Sequence, residues 1–117
     1  MLLYGNLTNA RAIVLNPRDG YMYWSVWHFT SRGRQASTAS QSVIERAWMN
    51  GSQREPFVIS DLQWPNGLTI DFKEGFLYWC DGYHRVIERV KLDGTGREVS
   101  DVLCWESPST TLCNACW

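Results

Sequence analysis

Asn66-Gly67-Leu68-Thr69-Ile70-Asp71-Phe72-Lys73-Glu74-Gly75-Phe76-Leu77-Tyr78-Trp79 decides the fold, because the pattern occurs twice in the chain. Its gapless counterpart is Arg11-Ala12-Ile13-Val14-Leu15-Asn16-Pro17-Arg18-Asp19-Gly20-Tyr21-Met22-Tyr23-Trp24, at an offset of 55 residues, with apolar, turn and aromatic positions matched by class. A second block repeats in the same order. Ile44-Glu45-Arg46-Ala47-Trp48-Met49-Asn50-Gly51 lies over Ile87-Glu88-Arg89-Val90-Lys91-Leu92-Asp93-Gly94 at an offset of 43. The first copy therefore holds 12 more residues between its Tyr-Trp and its Ile-Glu-Arg. Two blocks recurring in one order define a supersecondary unit, and a period of about 43 residues falls in the range of propeller blades.

Each unit reads as four short strands. Leu68, Ile70 and Phe72 alternate with Thr69 and Asp71, the period of a strand with one buried face, and Lys73-Glu74-Gly75 supplies a turn with glycine where positive φ is needed. Residues 76–80 form the next strand and 81–85 a longer loop. Residues 86–92 alternate again, and Asp93-Gly94 is a hairpin signal ahead of a strand over 97–102. The expectation is an all-β chain of about two four-stranded antiparallel blades. Such a sheet has two faces to cover, so its stable setting is a ring of similar sheets packed face to face.

Composition bounds the function. At 117 residues the chain has room for one modest domain, and its formal charge of -1 supplies no basic field for nucleic acid or anionic lipid. With 44% hydrophobic residues it is too apolar to be wholly disordered. No stretch approaches the roughly 18 apolar residues of a membrane span, and Met1-Leu2-Leu3-Tyr4-Gly5 has neither a basic start nor a secretory apolar core. The expectation is no signal peptide, no transmembrane segment and no direct membrane insertion by this segment. Asn6-Leu7-Thr8 and Asn50-Gly51-Ser52 match the N-glycosylation acceptor, which has meaning only in the secretory pathway.

Tyr78-Trp79-Cys80-Asp81, preceded by Pro65-Asn66-Gly67-Leu68-Thr69-Ile70-Asp71 and followed by Ile87-Glu88-Arg89 and Leu92-Asp93-Gly94, resembles the YWTD repeat (class B repeat) of the low-density lipoprotein receptor family. The resemblance covers about residues 10–99. It implies part of a six-bladed β-propeller flanked by EGF-like modules, in the extracellular part of a single-pass plasma-membrane receptor that works in endocytosis or signalling. It implies a non-catalytic platform for protein ligands, lipoprotein or secreted proteins, acting through the complete propeller and without a cofactor. On this basis residues 1–9 hold an outer strand of a preceding blade, and 10–60 are a first repeat with a loop insertion at 27–43. Residues 61–99 are a second repeat, and 100–117 an atypical tail with Cys and Trp, read as an alternative or truncated ending. The first repeat departs from the motif at Tyr23-Trp24-Ser25-Val26, so any ion pair of the family aspartate is missing there.

Trp64, one residue before Pro65-Asn66-Gly67, is the first candidate for binding a partner, since proline and glycine stiffen its support. His84, between Tyr83 and Arg85 in a loop, is a candidate to titrate near endosomal pH and act as a switch. Cys113-Asn114-Ala115-Cys116 has metal or redox spacing but no second pair or nearby histidine, so it reads as tail. Cys80 stands where the family has Thr or Ser and reads as a small packed residue. Asp71, Asp81 and Asp93 lack the spacing of a calcium loop, and Arg32 and Arg34 read as solvated. No catalytic ordering appears. The alternative is a fragment of a lactonase-like six-bladed hydrolase with a channel-bound calcium, which needs side chains converging from several blades.

Overall fold

A computed structural model describes residues 9–27 and 42–102. Asn6, residues 28–41 of the inserted loop, and Cys104, Cys113 and Cys116 lie outside these described residues. Within them the chain is all β. Strands β1 (Ala10–Asn16), β2 (Tyr21–Val26), β3 (Val43–Trp48) and β4 (Glu55–Val58) make one antiparallel four-stranded sheet in sequence order. Strands β5 (Pro65–Asp71), β6 (Phe76–Asp81), β7 (Val86–Lys91) and β8 (Glu98–Val102) make a second sheet of identical topology.

The two turns that the repeat aligns are built alike. Gly20 N–H donates to the Asn16 carbonyl and Gly75 N–H to the Asp71 carbonyl, with φ of +82° and +78°, values that favour glycine. Asp71 Oδ1 accepts the amides of Lys73 and Glu74, so this aspartate caps the turn. The innermost strand begins at Pro65, three residues earlier than the alternation from Leu68 suggests. Proline is tolerated because β5 is an edge strand and Pro65 its first residue, and the ladder is irregular between Pro65 and Leu68.

Period-two alternation then assigns the faces. Tyr23 and Ile44 on one face of the first sheet pack with Ile70, Leu77, Trp79 and Val90 of the second, and Val58 and Leu62 close the same cluster. This core lies between the blades. The opposite face of the first sheet carries Met22, Trp24, Val26 and Ala47 as a separate cluster. Cross-strand neighbours place Ile13 beside Trp24 and Leu15 beside Met22 on that face, and Ile13 and Leu15 are 61% and 49% exposed. Their counterparts in the second sheet, Leu68 and Ile70, belong to the interblade core.

Cys80 is buried, as expected of a small packed residue, but it is also disulfide-bonded and so ties the chain covalently.

Candidate functional site

Asp81, the last residue of β6, organises one end of the molecule. Its buried carboxylate accepts four backbone amides: Gln63 at Oδ2 (2.8 Å), and Trp64, Tyr83 and His84 at Oδ1 (3.2, 3.0 and 3.1 Å). The linker before β5 and the loop after β6 are thus tied to one side chain, with a further bond from Gly82 N–H to the Trp64 carbonyl (3.0 Å). The motif's aspartate works here through amide capture, where the sequence reading allowed for an ion pair. In the first sheet the same position is Val26, buried within the apolar cluster.

With the backbone so held, the side chains line up. The Trp64 ring stacks on Trp27 (5.9 Å, 18°) and meets Tyr83 edge-on (5.3 Å). Tyr83 in turn meets His84 edge-on (5.4 Å), and the Arg11 guanidinium lies over the Trp27 ring at 4.1 Å. Trp27 Nε1 donates to the Pro65 carbonyl across the blade boundary (2.8 Å). Arg11, Trp27, Trp64, Tyr83 and His84 therefore form one aromatic ledge spanning both blades. Trp64 is half-buried within it, while Tyr83, 57% exposed, and His84 face solvent. The structure joins the two sequence candidates, Trp64 and His84, through Tyr83. Trp27 and Arg11 escaped the sequence reading, and the signal available was a tryptophan at the end of the first Tyr-Trp strand.

A second motif escaped it as well. In the second blade Arg97 forks onto Glu88 (Nε to Oε1 3.0 Å, Nη2 to Oε2 3.1 Å), lies over the Trp79 ring and donates to the Ser60 carbonyl (2.7 Å). In the first blade Arg54 engages Glu45 and lies over Trp24, whose Nε1 donates to Glu45. The recurring Trp, Glu and Arg form a stack in each blade. An open cleft of about 650 Å³ beside Arg97 is lined in part by Asp61, His84, Glu88 and Glu98.

Electrostatics elsewhere serve the sheets. Burial pushes the Tyr23 phenol up, against an opposing hydrogen bond from Arg46. The Asp93 carboxyl is held below its ordinary value by Thr95, whose hydroxyl and amide both donate to it. Asp71, Asp81 and Asp93 thus all serve turns or amides, and no cluster of three metal-ligating side chains occurs among the described residues. Asn50 sits exposed in the β3–β4 turn, its Oδ1 accepting from Ser52 N–H and Oγ.

The family model of the low-density lipoprotein receptor repeat class B matches residues 37–72. That span contains β3, β4 and β5, the outer strands of one sheet with the first strand of the next. The chain thus carries a low-density lipoprotein receptor class B repeat. Among its relatives, the vitellogenin receptor of Solenopsis invicta is 37% identical over 87 residues, 74% of this chain and 4% of that protein. The human low-density lipoprotein receptor-related protein 5-like protein is 33% identical over 98 residues, 84% of this chain and 34% of that protein. A chain of the crystal structure of a nidogen/laminin complex superposes with a TM-score of 0.65 at 28% identity, covering 84% of this chain and 34% of that one. The class B chain thus spans a minor part of each relative. Its two sheets are two blades of a YWTD β-propeller. No helix among the described residues is long and apolar enough to cross a membrane.

Proposed function

We propose that this chain is a segment of an extracellular receptor propeller that binds protein ligands without catalysis, in endocytosis or signalling, and that the aromatic ledge is its contact surface. The carrying observation is the run of stacked rings across the blade boundary, fixed from beneath by Asp81 and open to solvent at Tyr83. Rigid aromatics lose little conformational entropy on binding, and such side chains supply most hot spots of protein interfaces. The family's receptors and the partnered nature of the nidogen/laminin complex support a protein ligand. EGF-like modules of a parent receptor would flank the complete ring.

A displayed peptide library selected against the full chain tests the assignment without a known ligand. Selected peptides should bind Tyr83→Ala on the order of thirty-fold more weakly, a hot-spot effect, and His84→Ala more weakly than wild type. Peptides indifferent to both changes would place the contact surface elsewhere.

A further inference from the structure

Asn50 and Asp93 occupy twin turns, one in each blade, and only one of them carries an amide nitrogen. Asn50 Oδ1 accepts Ser52 N–H (2.9 Å) and Ser52 Oγ (2.6 Å), and Asp93 Oδ1 accepts Thr95 N–H (2.9 Å) and Thr95 Oγ1 (2.6 Å). In both turns the glycine that follows has positive φ, +88° at Gly51 and +90° at Gly94. The hydroxyl two residues on is thereby held against the side-chain oxygen. In the first blade this leaves Asn50 Nδ2 without a partner among the described residues, on an exposed turn. Asn50-Gly51-Ser52 is also the acceptor triplet for N-linked sugar.

We infer that Asn50 carries an N-linked glycan on the end of the molecule opposite the aromatic ledge. Strand β3 starts beside Val26, next to Trp27 of the ledge, and ends beside Tyr21, where the turn begins. Its six residues separate the two ends by about 20 Å. A bulky polar group at Asn50 stands clear of the interblade core and of the ledge. In the transfer, Asn50 Nδ2 forms a bond to the anomeric carbon of an oligosaccharide borne on a lipid diphosphate. The carbon–oxygen bond to the diphosphate breaks, the lipid diphosphate leaves with its electron pair, and one Nδ2 proton passes to a base of the transferase. The inference rests on the extracellular reading for its biological setting, but the acceptor chemistry is tested separately from the ledge.

The test expresses the full chain behind a cleavable secretory leader in human cells, so that exposure to the transferase does not depend on the native address. Tryptic peptide 47–54 from total microsomal protein should carry N-acetylhexosamine, and Ser52→Ala should abolish it. Asp93→Asn completes the same triplet in the twin turn, and peptide 92–97 of that variant should become glycosylated too. An unoccupied 47–54 peptide in microsomal wild-type protein would overturn the inference. Occupancy at Asn50 with none in D93N would overturn the claim that this turn presents the acceptor. Neither result depends on whether Tyr83→Ala weakens peptide binding, so the two readings fail independently.

Discussion

Asp81 is buried, and it serves four amides from two separate loops. Asp81→Asn keeps the shape but turns one oxygen into a donor facing donors. An unmade buried hydrogen bond costs about 1–3 kcal/mol, and urea unfolding of D81N should show a loss of that order. Unchanged stability would mean that the carboxylate does not hold these loops. Asp93 behaves differently because it is exposed. Its depressed folded value means that its stabilising effect is present above the unfolded carboxylate value and is lost as pH falls through the folded one. Melting temperatures should therefore show this part of the pH dependence only in the acid range, below endosomal pH. Asp93→Asn, which copies the Asn50 turn, should remove it; a change in the D93N profile confined to near-neutral pH would contradict the assignment. At this scale the sequence exposed the turn role of Asp93 through Asp-Gly. It hid the partners of Asp81, since amides brought in from residues 63 and 64 leave no side-chain signature.

At the scale of elements, each blade stacks a tryptophan from its second strand, a glutamate from its third and an arginine just before its fourth. Arg97 also grips the linker carbonyl at Ser60, so it joins the outer strands of one blade to the chain leaving the other. Arg97→Ala leaves the largely buried Glu88 without this partner and should cost about 2 kcal/mol in chemical denaturation. Arg97→Lys should not restore it, because an ammonium cannot reproduce the planar fork. Full rescue by lysine would show that charge alone suffices. The strands themselves were legible from alternation and from the offsets of 55 and 43, because one buried face imposes period two. The ledge was legible only at Trp64 and His84. Trp27 meets Trp64 through the packing of two sheets, a contact between residues 37 apart that no local pattern encodes.

At the scale of the whole molecule, the repeat shows which faces expect a neighbour. The first blade covers Ile70 to 9% exposure, while the equivalent Leu15 stands 49% exposed on a face that a preceding blade covers in a YWTD ring. Ile13 and Leu15, the exposed apolar side chains of that face, favour association. The 117-residue chain alone should self-associate in sedimentation velocity, and Ile13→Lys combined with Leu15→Lys should shift it toward monomer. A wild-type chain that is monomeric at high concentration would contradict the face assignment.

The binding claim is tested most directly at Trp64, where affinity and stability are separable on one sample. The Asp81 anchor uses the Trp64 backbone N–H, so replacing the indole leaves the linker tied. For Trp64→Ala, melting temperature and affinity for a ledge-selected peptide are measured together. Binding should weaken by on the order of 2 kcal/mol with most of the stability retained. A large fall in melting temperature with unchanged affinity of the folded fraction would contradict it.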